Sequence, residues 1–232
     1  MLISISGVDC AGKSTQIELL RQYFISMGKT CTVFWYRPGY SAEMQRVKSW
    51  IRPALNTAHQ LKGKVGSWFH KTRPNTAEEN SDTKSISAQS PQIPAPLWLS
   101  TAILDTAVQW GIKLRYLCRK YDVVICDRYV DDARLDLMLK YPQYTWTESM
   151  IQSIARVLPK PDVAFLLWIS ADEMIQRAQI KQEPFPDDEH TRQMRYRAYE
   201  FIADQDNITL VDASCTVEET HQAILQHLPT LA

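Results

Sequence analysis

The sequence predicts an α/β fold, with a parallel sheet covered by helices on both faces. Three observations predict it. Short apolar runs recur with helical patterns between them, the runs at 122–127 and 162–169 are nearly continuously apolar, and a glycine-bearing turn joins the first run to an amphipathic helix. Strands that alternate with helices read as βαβ units. Strands covered on both faces lose the apolar–polar alternation of a half-buried sheet.

The elements follow in order. LISIS (2–6) is a strand, and STQIELLRQYFISMG (14–28) a helix with Ile17, Leu20 and Phe24 on one face. TCTVFWY (30–36) is a second strand, ended by the turn signal Arg37-Pro38-Gly39. DVVICD (122–127) and DVAFLLWI (162–169) are central strands, and NITLVD (207–212) closes the set. Helical patterns cover 96–120, 132–140, 146–157, 171–182, 189–203 and 216–227.

Residues 56–96 break the rhythm. They begin basic and aromatic (HQLKGKVGSWFHKTRP) and become polar and proline-bearing (NTAEENSDTKSISAQSPQIPAP). About forty residues exceed an ordinary connection, so the stretch reads as a partly mobile insertion into a single domain spanning 1–232. His59 and His70 within it read as surface residues, with no third ligand at metal spacing.

Composition narrows the function. Twenty-six basic and 26 acidic residues cancel, so no overall field draws the chain to nucleic acid or to an anionic membrane. No apolar run approaches the ~20 residues that span a bilayer. The N-terminus lacks the basic region of a signal peptide. Five cysteines, odd in number and at no paired or metal-ligand spacing, suit a reducing compartment, so a cytoplasmic protein is expected.

Gly7-Val8-Asp9-Cys10-Ala11-Gly12-Lys13-Ser14 matches G-x-x-x-x-G-K-[ST] at every fixed position, between a strand and a helix as that motif requires. Gly7 and Gly12 let the backbone curl so that N–H groups point at phosphate oxygens, and the helix adds its positive end. Lys13 supplies charge to the β and γ phosphates, and the Ser14 hydroxyl can coordinate Mg²⁺. Asp127, closing VVICD, is the second magnesium carboxylate expected of such a site. ATP and Mg²⁺ are the implied ligands, and a P-loop NTPase fold the implied architecture.

Three classes share the cradle. A GTPase switch carries Asn-Lys-x-Asp, and no asparagine here precedes a lysine. Many P-loop ATPases place an acid after the strand-end aspartate to activate water; here Arg128 stands there. A kinase needs positive charge around the transferred phosphoryl group, a second pocket and a closing lid. Asp127-Arg128-Tyr129 and the arginine-rich 177–197 stretch suit a kinase, with a lid over 178–192.

GVDCAGKSTQ, VVICDRYVDD, PDVAFLLWISADEMIQRA and LVDASCTVEETHQAI, in that order, resemble the thymidylate kinase family. The resemblance covers 1–52 and 97–230 and leaves the insertion unmatched. It implies a five-stranded parallel sheet, transfer of the ATP γ-phosphoryl group to a nucleoside monophosphate, and a lid over the donor. It puts the ATP phosphates on the backbone of Cys10, Ala11, Gly12, Lys13, Ser14 and Thr15, and Asp9 near the acceptor's sugar and the metal. Arg128 and Arg37 match arginines on the acceptor phosphate, and Arg177 one near the donor base. With no arginine in the P-loop, a catalytic arginine would come from the lid. Arg192 is the first candidate and Lys181 the second.

The acceptor side departs from the family. Tyr36-Arg37-Pro38-Gly39-Tyr40 lacks the family's glutamate after the arginine, and 102–106 offers neither the phenylalanine nor the arginine that reads thymine. Asp136 replaces a tyrosine beneath the sugar. Asp105, Asp131, Asp132 and Asp136 instead collect carboxylates, which favour hydroxyl or amine donors and disfavour an anion. Asp105, Asp132 and Asp136 are therefore acceptor candidates, with a helix N-terminus the competing role for Asp132. Trp98, Trp110 and Tyr116 read as core rather than base-stacking residues. Cys10 reads either as a thiol activated by the helix N-terminus or simply as a residue small enough for the loop.

The expected activity is ATP-dependent phosphorylation of a nucleotide, dTMP first. A nucleoside, sugar or amino-sugar acceptor is the alternative, and a non-catalytic nucleotide-binding module the third reading. A small-molecule acceptor is the expected partner, with a homodimer left open and neither nucleic acid nor membrane implied.

Overall fold

The computed structural model describes residues 1–39, 41, 95–180, 189–204 and 207–229. Most of the 56–96 insertion and the centre of the 178–192 lid, 181–188, with Lys181, lie outside the described residues, as do His59 and His70. The strands are β1 (Leu2–Gly7), β2 (Cys31–Trp35), β3 (Val123–Asp127), β4 (Val163–Trp168) and β5 (Thr209–Asp212). They form one five-stranded sheet in the order β2-β3-β1-β4-β5, and every pairing is parallel.

The helices are α1 (Lys13–Ser26), α2 (Ala95–Val108), α3 (Leu114–Lys120), α4 (Val130–Lys140), α5 (Trp146–Ala155), α6 (Ala171–Ile180), α7 (Glu189–Ala203) and α8 (Val217–Gln226). Between α2 and α3 the chain stays helical but widens to a π turn over Gln109–Lys113. Such turns are rare and recur where a helix must re-aim a side chain. Here the turn carries the fully buried Trp110.

The strand residues explain the coverage. Val123 and Ile125 join the main core with Ile17, Leu20 and Phe24 of α1, while Val124 and Cys126, on the opposite face, are as deeply buried. Both faces are therefore covered. Leu20 is fully buried, and truncating such a leucine to alanine costs about 2–5 kcal/mol. Of the three helix aromatics read as core, Trp110 is, Trp98 is half-buried, and Tyr116 is 59 % exposed. Tyr116 is corrected to a surface residue: its position four beyond Ile112, itself exposed, keeps it on the outer stripe of the helix.

Two compact units divide the chain: 1–38 with 103–232, and 39–102. In the second, Gly39, Ser41 and 95–102 are described, and Gly39 lies so close to the Trp98 ring that an added Cβ would come within 2.6 Å of it. The first holds the whole sheet. Its strand order reverses at β1, with β3 on one side and β4 on the other. In open α/β sheets, ligands bind outside the carboxyl ends of the strands at such a switch point. Gly7 and Asp127 end the two strands there.

Candidate functional site

The loop from β1 to α1 has the geometry of a cradle. Gly7 passes so close to β4 that an added Cβ would stand 2.4 Å from the Leu167 carbonyl oxygen. Gly12 has room around it but a φ of 78°, and it caps α1 in the left-handed region. One glycine is demanded by space and the other by conformation. Cys10 also has a positive φ, 62°, so a small side chain is what its backbone tolerates best.

Lys13 folds back over this loop and donates to the carbonyl oxygens of Gly7 (3.0 Å) and Val8 (2.7 Å). Burial, reinforced by the nearby Arg128 guanidinium, lowers its pKa from 10.5 to about 8. Asp127 ends β3 beside it. Burial pushes its carboxyl above the ordinary value, while Arg128 and Lys13 pull the other way. Asp9, Cys10, Gly12, Lys13, Ser14, Thr15, Trp35, Asp127, Arg128 and Arg177 line one cavity of about 550 Å³. That volume lies in the range of small-molecule sites. Arg177 braces the cavity wall: it donates to the Cys10 carbonyl at 3.4 Å and the Ala213 carbonyl at 3.0 Å, and pairs with Glu173 at 2.5 Å.

Arg128 follows Asp127 with a φ of 73°, a strained conformation for a side-chain-bearing residue. Bonds on both sides hold it there. Arg128 N–H donates to the Ile5 carbonyl, and Tyr129 N–H donates to Asp132 at 3.0 Å. The Tyr129 hydroxyl donates to the Pro159 carbonyl at 2.5 Å, and its ring packs on Trp110, 5.0 Å between centroids. Arg128 Nη2 is 3.9 Å from Asp9 and Nη1 is 3.7 Å from Asp132. Nη1 is buried and makes no hydrogen bond. Nη1 faces the buried Asp132 carboxylate, while the guanidinium as a whole lines the cavity and is 18 % exposed at its side chain, a charged donor within reach of an anion.

The acidic residues divide by what already touches them. Asp132 is 1 % exposed and accepts hydrogen bonds from Ser6, from the Tyr199 hydroxyl at 2.5 Å and from Tyr129 N–H. It closes the first turn of α4 rather than opening onto the cavity. Asp136 accepts both nitrogens of the Arg37 fork, at 2.6 and 3.0 Å, and Arg195 Nη1 at 2.6 Å. Burial works to raise the Asp136 pKa, yet Arg195 and Arg37 outweigh it and hold the carboxyl below its usual range. Asp105 accepts from the Tyr36 hydroxyl at 3.1 Å. Asp131 is half-buried, and burial, with Asp132 adding to it, raises its pKa.

Arg192 stands apart. It lines a separate cavity of about 400 Å³ with Glu189, Gln193, Tyr196 and Arg197 of α7 and the start of α6. Sequence reasoning missed Arg195, Tyr199 and Ser6. Arg195 and Tyr199 are four apart on α7, and Asp132 and Asp136 four apart on α4, so each pair shares one helix face. That matching spacing is visible in the sequence, but the pairing of the two helices is not.

Ser14 and Asp127 offer hard oxygen donors in the same cavity, with Asp9 beside them. Asp127 makes no hydrogen bond or ion pair among the described residues, so the donor set suits Mg²⁺. No helix among the described residues is long and apolar enough to cross a membrane.

A thymidylate kinase family model matches residues 112–224, just under half of the chain. The chain is similar to a thymidylate kinase of Mycoplasmopsis pulmonis, 23 % identical over 98 % of this chain and 87 % of that protein. It is also similar to a probable thymidylate kinase of Methanocaldococcus jannaschii, 25 % identical over 100 % of this chain and 97 % of that one.

Proposed function

We infer that this chain, which is similar to thymidylate kinases, transfers the ATP γ-phosphoryl group to a nucleoside monophosphate, with dTMP the first acceptor. The observation that carries this reading is a single cavity lined by Lys13, Ser14, Asp127 and Arg128. It joins a phosphate cradle, a pair of hard oxygen donors and the Arg128 guanidinium.

The chemistry needs little beyond placement. A phosphate acceptor is already anionic, so no strong general base is required, and positioning with charge neutralisation carries the rate. The cradle backbone and Lys13 hold the donor phosphates. Lys13 gives up its bonds to the Gly7 and Val8 carbonyls when a phosphate offers a stronger acceptor. Mg²⁺, held by Ser14 and Asp127, would neutralise charge on the phosphate oxygens. Arg128, with Arg37, meets the acceptor phosphate, and Asp9, in the loop itself, lies 3.9 Å from Arg128. Arg177 braces the donor end. Arg192 acts only if the 178–192 segment closes and carries α7's first turn over the cradle. Five free cysteines suit a cytoplasmic setting.

The amine-bearing acceptor loses two of its candidate carboxylates: Asp132 and Asp136 are engaged by Ser6, Tyr199, Arg37 and Arg195. The test is a screen of nucleotides, nucleosides and sugars for acceptor-stimulated ADP release. Monophosphates should stimulate release and unphosphorylated acceptors should not. Stimulation by a nucleoside or amino sugar alone would overturn the reading.

A further inference from the structure

Asp136 stands where three segments meet that the sequence keeps far apart. Arg37 comes from the turn after β2, Asp136 from the second turn of α4, and Arg195 from α7. Asp136 is 9 % exposed and Arg195 6 %. A carboxylate at that depth is stable only with its charge matched and its oxygens occupied. Here one oxygen takes Arg37 Nε at 2.6 Å, while the other takes Arg37 Nη2 at 3.0 Å and Arg195 Nη1 at 2.6 Å. The Arg37 contact is the two-point fork that fixes a guanidinium in plane and angle. One turn earlier on α4, Asp132 accepts the Tyr199 hydroxyl, one turn beyond Arg195 on α7. Two rungs therefore bolt α7 to α4, and the Asp136–Arg195 rung extends to Arg37.

We propose that Asp136 is a positioning residue that fixes the Arg37 guanidinium and couples it to Arg195 on α7. The inference rests on the reading that Arg37 meets the acceptor phosphate. The fork leaves the Arg37 guanidinium held in one plane while its side chain stays 36 % exposed. Asp136 therefore acts on the acceptor through Arg37 and not by touching it. The same carboxylate links the acceptor arginine to the helix into which the 178–192 segment leads.

Asp136→Asn keeps the shape and removes the charge. In the full-length enzyme the acceptor KM should rise by about tenfold or more while the KM for ATP changes by less than about twofold. Asp136→Glu, which keeps the charge, should recover part of the acceptor KM. A second readout does not depend on turnover. Arg37 is 36 % exposed at its side chain, so phenylglyoxal labelling followed by peptide mass spectrometry reports how firmly it is held. Labelling of Arg37 should speed up several-fold in Asp136→Asn, with Arg21, paired to Glu18 three residues before it on α1, as the unchanged reference. A lower melting temperature with unchanged acceptor KM and unchanged Arg37 labelling would overturn the proposal, because Asp136 would then serve only the fold. If the unsubstituted enzyme phosphorylates no monophosphate, the functional reading fails by itself. The labelling then decides the positioning claim: faster supports it, unchanged overturns it.

Discussion

The donor side and the acceptor side of this protein are built by different means. The cradle is local: nine consecutive residues, two glycines and one helix start produce it. The acceptor side, as proposed, is assembled from side chains at 36–37, 105, 128–136 and 195–199, brought together by the sheet and by the packing of α4 on α7. A backbone site tolerates change at most of its side chains but little at its glycines. A side-chain site can change its ligand by single substitutions, while each buried charge must keep its partner. On the proposed reading, single substitutions should change acceptor choice more readily than donor chemistry.

The largest expected effect falls on the cradle. Lys13→Ala should lower kcat by about 10³-fold, the upper scale for removing one charge-stabilising donor, with circular dichroism unchanged because Lys13 bonds only loop carbonyls. Near-normal turnover would break the comparison at its root. On the acceptor side, Asp132→Ala should act on stability first. Removing one partner of a buried ion pair costs about 3–5 kcal/mol, and denaturant titration reads it. A loss of activity at unchanged stability would show instead that Asp132 touches substrate.

Protonation gives a third test. Burial depresses the Lys13 pKa from 10.5 to about 8, so between those values the folded chain holds fewer protons than the unfolded one. Its contribution to stability therefore rises with pH across that window. A bound triphosphate favours the charged lysine, so ATP binding above pH 8 should take up a proton, and affinity should fall by up to about tenfold per pH unit. Calorimetry in buffers of different ionisation heat measures the uptake. Asp136 behaves oppositely: its pKa lies below 3.8, so its pairing energy is complete above the ordinary carboxylate value and is lost only at lower pH. The acceptor clamp therefore stays charged across the range where Lys13 titrates.

The smallest effect sharpens the acceptor half. The 102–106 stretch lacks the aromatic and the arginine that the resemblance leads one to expect as the reader of thymine, and strong discrimination needs a buried reader left unpaired by the wrong substrate. The ratio of kcat/KM for dTMP over dCMP, which differs in the polar groups such a reader pairs, should stay below about tenfold. A preference above about 100-fold would mean that other residues rebuild the thymine pocket.

The contrast also sets what the sequence could reveal. The strands, their parallel pairing and the helix after the glycine turn follow from periodicity and spacing, which are local. Gly12 at the helix start was readable because only a glycine suits that turn. The partners of Asp132 and Asp136 were not readable, because Ser6, Tyr199 and Arg195 lie 59 or more positions away. Composition showed a collection of carboxylates and suggested an amine-friendly pocket. Packing turns Asp132 and Asp136 of α4 inward, where Arg128, Arg37 and Arg195 pair with them. The π turn carrying Trp110 was equally invisible, since its residues also suit a regular helix.

The central claim is that the γ-phosphoryl group leaves ATP for the phosphate of a nucleoside monophosphate. Single turnover with γ-³²P-labelled ATP and dTMP, quenched and separated by thin-layer chromatography, tests it most directly. The account predicts label in a nucleoside diphosphate, at its β position, appearing only when the monophosphate is present. Label found only in inorganic phosphate, or passed to thymidine as readily as to dTMP, would contradict it.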